Sequence, residues 1–175
     1  MVAARPSAGD VWSWLREIAD PEIPVLSIVD LGIVRDVCWP EENELRITIT
    51  PTYSGCPAIE AIADDIRRVA AERGVERLHL ETQLFPPWTT DWMPDDAKER
   101  LREYGIAPPV SALISAGDIR PARSRPSRLA TAPVVTCPRC GSNSTQLLSR
   151  YGSTPCKALY KCASCLEPFD AFKGH

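Results

Sequence analysis

Two Cys-x-x-Cys pairs near the end of the sequence constrain its fold more than any other feature. The first pair is Cys137 and Cys140 and the second is Cys162 and Cys165, with 21 residues between them. Each tight turn directs two thiolates at one ion, and four thiolates complete a closed tetrahedral shell. About 40 residues bury too little apolar surface to fold without a staple. The spacing predicts a zinc-ribbon-like module over residues 134–175 with a structural Zn²⁺; a rubredoxin-like iron site and a redox dithiol are the alternatives.

The segment between the two pairs predicts two strands and contains a further cysteine, Cys156, that belongs to neither pair. Residues 146–151 and 157–161 have the composition of strands that connect two metal-binding turns. Cys156 could replace one of the four ligands, pack as a buried thiol, or react. Because four thiolates already satisfy zinc, a packed Cys156 is the favoured interpretation.

Residues 120–133 are rich in proline, arginine, serine and alanine and contain little that could be buried. Such a composition is typical of an extended, solvated linker. A chain of 175 residues has room for one main core and a smaller satellite. The predicted organisation is a first domain over residues 1–119, a linker over 120–133 and the zinc module over 134–175.

The first domain alternates helical and strand-like patterns. Asp10 is the predicted N-cap of a helix over residues 11–19, and Pro57 is the predicted first residue of a helix that continues over 58–73. Strands are predicted over 33–39, 44–50 and 77–84, the first two as a hairpin, and a last helix over 94–104. The order predicts an α+β fold, a small mixed sheet with helices on one face.

Cys56 lies in the segment that connects a predicted strand to a predicted helix. With Pro57 as the first helical residue, Cys56 would be the N-cap, where free amides and the helix dipole favour an anion. A thiol there should have a lowered pKa and be a better nucleophile or metal ligand. The alternative is that Cys56 is a small buried apolar side chain.

Two short acidic motifs precede the first strand. Asp20-Pro-Glu22 and Asp30-Leu-Gly32 place three carboxylates close together in sequence. They could bind a metal or cap turns, and capping is the commoner role of such segments. The sequence contains no Ser-His-Asp set, phosphate-binding glycine loop or acid–base carboxylate pair, so the residues give no independent case for a catalyst.

Charge and hydropathy exclude several classes of function. Residues 1–120 hold 21 acidic and 12 basic side chains, a balance of −9, and residues 121–175 hold 2 and 8, a balance of +6. The first part is not basic enough to predict a nucleic-acid surface. No apolar run approaches the roughly 18 residues that span a bilayer. The N-terminus has no secretory pattern, so the cysteines are expected in a reducing compartment, the cytoplasm.

Longer stretches resemble a known family. Residues 20–34 and 50–57 are similar to the SufT-like domain of iron–sulfur assembly factors, a resemblance that covers about residues 10–106. Residues 87–93 and 152–173 make the resemblance more specific, because they are similar to a family that contains both domains. The whole chain resembles the D-subunit family (PaaD, also called PaaJ) of bacterial phenylacetyl-CoA epoxidase systems.

The resemblance implies a role in aerobic phenylacetate degradation, as an accessory subunit and not an enzyme. The epoxidase combines a di-iron oxygenase with a reductase that carries flavin and a [2Fe–2S] cluster. The family member would assist maturation or repair of one of these centres, with the reductase or oxygenase subunits as partners. Cys56 matches the family's reactive position and would transiently hold iron or a cluster, and Asp30 matches a family motif. A homodimer is a further expectation, and a structural clamp between epoxidase components is the alternative function.

Overall fold

The computed structural model describes residues 5–41, 43–53, 55–109 and 134–174. Within these ranges the chain forms three α-helices, one 3-10 turn and six strands in two separate three-stranded sheets. In chain order the elements are α1 (Ala8–Arg16), β1 (Val34–Glu41), β2 (Glu44–Ile49), α2 (Ala58–Glu72), β3 (Arg77–Thr82), the 3-10 turn (Thr90–Trp92), α3 (Asp95–Tyr104), β4 (Thr145–Ser149), β5 (Lys157–Cys162) and β6 (Pro168–Phe172). The predicted α+β class is confirmed.

The first sheet is mixed, in the order β1-β2-β3. β1 and β2 form the predicted antiparallel hairpin, and β3 joins β2 in parallel after the crossover through α2. Leu45, Ile47 and Ile49 of β2 alternate along the strand and are almost completely buried. This alternation directs one row of side chains into the core, which α1 and α2 help to cover.

Helix α1 begins earlier than the sequence pattern predicted. Ser7, not Asp10, is its N-cap: the Ser7 hydroxyl accepts the Asp10 amide, and the Asp10 carboxylate accepts the Ser7 amide at 2.8 Å. This reciprocal arrangement is a capping box in which Asp10 occupies the third helical position. The prediction of Asp10 as N-cap was therefore wrong by three residues, because the serine that starts the box was overlooked.

The second sheet, in the order β4-β5-β6, is antiparallel throughout. The sequence analysis predicted β4 and β5 but missed β6. A signal was present in the sequence, since residues 168–172 contain two phenylalanines, and Phe169, Ala171 and Phe172 are all buried in the structure. β5 is thus the central strand, and its last residue, Cys162, belongs to the second Cys-x-x-Cys pair.

The two predicted modules contact each other closely. The Ala107 amide donates to the Asp170 carbonyl at 2.8 Å, and the Phe172 amide donates to the Ala107 carbonyl at 2.9 Å. The ring of Phe172 also contacts Trp88, with centroids 5.9 Å apart. The zinc-ribbon module therefore docks on the first domain rather than forming a separate satellite. The predicted linker, residues 120–133, lies outside the described residues, as does the predicted domain boundary at residue 119.

Candidate metal centre and thiol site

The four cysteines of the two Cys-x-x-Cys pairs converge. Their sulfur atoms all lie within 4.8 Å of one another, and the structure brings no other such group of histidine, cysteine and acidic residues together among the described residues. The Cys137 and Cys165 sulfurs are 3.8 Å apart, and those of Cys140 and Cys162 are 3.6 Å apart. A tetrahedron with Zn–S bonds of about 2.3 Å has edges of about 3.8 Å. The donor set and its spacing therefore fit a Zn²⁺ ion with four thiolate ligands.

The backbone around these cysteines forms two similar turns. Gly141 follows the first pair with φ of 73°, and Leu166 follows the second with φ of 66°. The Gly141 amide donates to the Cys137 carbonyl at 2.9 Å, which closes the first turn. Glycine adopts this left-handed conformation at low cost, whereas leucine does not. The second turn is therefore the more strained, as expected where a bound ion holds the backbone in place.

Two backbone amides stabilise the thiolate form of Cys162. Its sulfur accepts the amides of Cys165, at 3.4 Å, and Ser164, at 3.3 Å. These hydrogen bonds stabilise the thiolate and lower the pKa of Cys162 to about 6, and the bond from the Cys165 amide has the largest effect. The backbone at Cys162 thus favours the thiolate, which is the form in which a cysteine binds a metal ion.

Cys56 lies between β2 and α2, as predicted, but one residue further from the helix. The N-cap is Pro57, which has no side-chain capping bond, and α2 begins at Ala58. The Cys56 side chain is half-buried and packs against the core of the first domain. The prediction of Cys56 as N-cap was therefore wrong by one residue.

The predicted lowering of the Cys56 pKa was also wrong. Burial is the main cause that raises the pKa of this thiol, and the nearby carboxylates of Glu22 and Asp20 raise it further. Hydrogen bonds from the Ala58 amide and the Thr52 side chain lower it, but by less. The amide at the helix N-terminus lowers the pKa of Cys56, as predicted. Desolvation and the charges of the two acidic residues raise this pKa by more. At neutral pH Cys56 is consequently a neutral thiol.

A second thiol approaches this region from the zinc-ribbon module. Cys156 is 6% exposed, its sulfur lies 3.6 Å from a Glu22 carboxylate oxygen, and it packs in the first domain's core. Burial raises the pKa of Cys156 to about 11. The preferred prediction that Cys156 packs outside the zinc shell agrees with this burial. Its proximity to the Asp20–Glu22 motif was missed, because nothing in the sequence relates residues 134 positions apart.

Tyr53 lies among these groups. Burial, together with Cys56, Glu22 and Cys156, raises the pKa of the Tyr53 hydroxyl to about 12. The hydroxyl oxygen is buried and has no hydrogen-bond partner within the described part of the chain. Interaction with the Cys56 side chain is one of the causes that raise this pKa, so the Tyr53 hydroxyl belongs to the surroundings of the Cys56 thiol.

Asp20 and Asp30 close turns, in agreement with the commoner role of such motifs. One carboxylate oxygen of Asp20 accepts the amides of Glu22, at 2.9 Å, and Ile23, at 2.8 Å. Asp30 accepts the Ser27 amide at 2.9 Å and pairs with the Arg100 guanidinium at 3.0 Å. Asp30 therefore connects a turn of the first domain to α3.

An apolar cleft lies beside the Cys56 segment. It encloses about 490 Å³ and is lined in part by Thr52, Tyr53 and Trp88. Leu84, 61% exposed, also lines it, and its neighbour Phe85 is 81% exposed. Trp88 itself is buried and donates its indole N–H to the Leu31 carbonyl at 2.8 Å. Leu84 and Phe85 therefore form the exposed apolar surface at this cleft.

Two family models match separate parts of the chain. Residues 9–76 match the model of the iron–sulfur cluster assembly protein family, and residues 121–173 match the PaaD zinc beta ribbon domain. A protein of Escherichia coli K12, provisionally named as the D subunit of 1,2-phenylacetyl-CoA epoxidase, is 49% identical over 170 residues, covering 97% of this chain and 94% of its own length. This chain belongs to the PaaD family of phenylacetyl-CoA epoxidase components. Both parts of the family resemblance are thereby confirmed.

Other relatives of this PaaD family member match only about half of its length. An Fe-S protein maturation auxiliary factor of Bacillus subtilis is 38% identical over 88 residues, half of this chain and 85% of that protein. The SufT factor of Staphylococcus aureus is 34% identical over 48% of this chain and 96% of its own length. A solved domain of unknown function from Bacillus anthracis, 32% identical, superposes with a TM-score of 0.50 over 54% of this chain and 90% of its own. The first domain thus has the fold of iron–sulfur maturation factors, to which the PaaD family adds a zinc ribbon.

In the part of the chain that the structure describes, no helix is both long and apolar enough to cross a bilayer.

Proposed function

We propose that this chain is a non-catalytic accessory component of a phenylacetyl-CoA epoxidase system, which assists maturation or repair of an iron–sulfur or di-iron centre of that complex. The observation that carries the proposal is the position of Cys56. This half-buried thiol lies within the residues that match the iron–sulfur assembly family, and the charges of Glu22 and Asp20 act on it. A thiol and carboxylates are donors that iron accepts. The working compartment would be the cytoplasm, where thiols stay reduced.

In this proposal Cys56 transiently holds iron or a cluster and transfers it to a partner. The partners would be the reductase or oxygenase subunits of the epoxidase, and a homodimer would be compatible with the same role. Asp30 has a supporting role, because its ion pair with Arg100 fixes the turn that precedes β1. The four cysteines Cys137, Cys140, Cys162 and Cys165 would hold one structural Zn²⁺, and the ribbon would give specificity for the partner.

The metal and sulfide content of anaerobically purified protein tests this proposal. Wild type and Cys56→Ser should both contain about one zinc per chain, and only wild type should contain additional iron, with or without sulfide. Cys38→Ser is a matched control, since Cys38 is also half-buried but lies on β1. Equal iron in wild type and Cys56→Ser, or none in wild type after anaerobic reconstitution, would contradict a Cys56-based carrier.

The alternative is a structural clamp between epoxidase components, with an inert Cys56. The exposed side chains of Leu84 and Phe85 favour this alternative, because apolar groups of that size on a surface are typical of an interface. Complementation of epoxidase activity, combined with a pull-down, separates the two functions. A carrier loses activity in Cys56→Ser but still binds its partner, whereas a clamp keeps both. Phe85→Ser should weaken partner binding in either case.

A further inference from the structure

Strand β3 forms one edge of the first sheet and has a free side. On its other side it pairs in parallel with β2 over all six of its residues. The Gln83 amide donates to the Ile49 carbonyl at 2.8 Å, so the odd-numbered residues of this segment direct their backbone polar groups toward β2. Residues 78, 80 and 82 therefore direct their amides and carbonyls outward, where no described residue bonds to them through its backbone.

Among the four edge strands of the described residues, β3 alone lacks protection against pairing. β1 contains Pro40 and two breaks in its register with β2, and β4 contains one break in its register with β5. β6 begins at Pro168 and bonds through its backbone to Ala107. Prolines and bulges are common means of preventing a further strand from joining a sheet. β3 has no proline and an unbroken register, so its free side can accept a strand.

From this free edge and the order of its side chains, we propose that β3 pairs antiparallel with β3 of a second copy of this chain, about a two-fold axis at His79. Arg77 then lies opposite Glu81 of the second copy, and Leu78 lies opposite its Leu80. The outward-directed residues 78 and 80 form the hydrogen-bonded pairs that antiparallel strands require. The result is one six-stranded sheet, in which both copies use the same surface, as a two-fold dimer demands.

The charges of β3 favour this register over its neighbours. Arg77 and Glu81 are exposed and lie two residues on either side of His79, so the cation of each copy meets the anion of the other. A shift by two residues in either direction places His79 opposite one of them and leaves the other without a charged partner. Within the described part of its own chain Glu81 forms no ion pair, and Arg77 reaches two carboxylates only at 3.7 and 3.9 Å. Both side chains are thus available to a second copy.

The core-facing side of β3 supplies the apolar contact. Leu78 and Leu80 are half-buried, and Leu80 lines a groove of about 360 Å³ together with Ile59 and Ala63 of α2. In the proposed register Leu78 of the second copy is the cross-strand neighbour of Leu80 and covers this groove. Burial of these leucines drives the association, since exposed ion pairs contribute little. The ion pairs set the register.

Sedimentation equilibrium of the full-length, zinc-loaded protein tests the inference by reversal of charges. Wild type should form a dimer whose fraction rises with protein concentration. Arg77→Glu and Glu81→Arg each replace two attractive pairs by two repulsive ones, so each should raise the dimer dissociation constant at least about tenfold. The double variant restores opposite charges and should recover dimer formation. Glu103→Arg, a matched reversal at an exposed residue of α3, should behave as wild type.

Oxidative cross-linking locates the two-fold axis. Across this axis the Cα atoms of a non-hydrogen-bonded pair lie about 4.5 Å apart, a separation that a disulfide can span. His79→Cys, treated with copper phenanthroline, should therefore give a dimer linked at position 79, which peptide mass spectrometry identifies. Thr82→Cys is the matched control, because it keeps both charges and its two symmetry-related positions lie about 20 Å apart along the paired strands.

Three results would each overturn the inference: a monomer at every concentration, a dimer that both charge reversals leave unchanged, or a link at position 82 in place of 79. A wild-type monomer whose Leu78 and Leu80 amides exchange slowly with deuterium would show that another segment covers this edge. The inference does not rest on Cys56, so none of these results affects the proposed function.

Discussion

Asp20, Glu22 and Cys56 illustrate how single residues set the chemistry of the first domain. Asp20 uses one carboxylate oxygen to hold the Asp-Pro-Glu turn closed, and the charges of Asp20 and Glu22 in this turn act on the Cys56 thiol. Burial is the main cause that disfavours the Cys56 thiolate, and the two carboxylates add to it by repelling the charge that the thiolate would carry. A thiol that is kept neutral in this way is a poor free nucleophile at neutral pH.

At the level of single residues we predict the pH dependence of Cys56 alkylation. The thiolate is the reactive form, and the folded protein raises the pKa of Cys56 above the ordinary value of 9.0. The iodoacetamide rate should therefore keep rising with pH beyond that value, and Glu22→Gln should move the midpoint downward. Peptide mass spectrometry measures the rate at Cys56 itself. Glu99→Gln, which changes an exposed residue of α3, should leave the profile unchanged, and a wild-type midpoint below about 8.5 would contradict the assignment.

Two glycines of the first domain have a left-handed backbone, one in the Asp-Leu-Gly motif and one directly after α2. Gly32 ends the Asp-Leu-Gly motif with φ of 67°, and a Cβ atom there would lie 2.9 Å from the Cβ of Trp92. Gly74 ends α2 with φ of 80°, yet a Cβ there would meet nothing within 4 Å. Gly32 is thus required for two reasons: its backbone is left-handed, and Trp92 comes so close that a side chain would not fit.

Among the structural elements, these two glycines form a matched pair. Gly74→Ala should cost about 1 kcal/mol from backbone strain alone. Gly32→Ala adds the clash with Trp92 and should cost about 2–4 kcal/mol. Urea unfolding measures both values. If both variants lose the same free energy of unfolding, Trp92 moves aside without an energetic penalty and the close contact does not matter for stability.

A second prediction about the elements concerns the folding of the ribbon. Cys162→Ala removes one of the four converging thiols and the buried end of β5. We expect loss of stoichiometric zinc and of ordered structure over residues 134–174, because so small a sheet depends on its metal. Elemental analysis and amide NMR chemical shifts provide the measurement. A variant with zinc removed and the β4–β6 amides still dispersed would contradict a structural role for the ion.

Across the molecule as a whole, the two modules share their cores. Phe172 and Cys156 of the ribbon pack in the core of the first domain, and Ala107 of the first domain packs in the core of the ribbon. The Ala107–Ala171 bridge adds main-chain hydrogen bonds at the same contact. Such an exchange of apolar side chains couples the stability of the two modules.

This coupling predicts a long-range effect of zinc. Removal of the ion should unfold the ribbon and thereby expose the amides of Ala107 and Phe172, whose exchange with deuterium should accelerate by at least about tenfold. The amide of Ile47, in the centre of the first sheet, should remain protected and is the internal control. Hydrogen exchange with mass spectrometry, with and without a chelator, makes the comparison. Unchanged exchange at Ala107 would indicate that the ribbon stays docked without its metal.

Features that depend on neighbours along the chain could be predicted from the sequence. The Cys-x-x-Cys turns, the β1–β2 hairpin, the α2 pattern after Pro57 and the turn-closing roles of Asp20 and Asp30 all follow from local chemistry. Even here local errors occurred, as when the capping box of Ser7 and Asp10 was taken for a simple cap.

The environment of the thiols, in contrast, became known only from the folded chain. Position beside a helix predicted an acidic Cys56, but burial and the carboxylates of Glu22 and Asp20 raise its pKa. Cys156 appeared as a surplus cysteine of the ribbon, yet it lies against Glu22, far away in sequence. The physical reason is common to both: a pKa and a contact depend on which groups share a desolvated volume, and chain folding brings those groups together from distant positions.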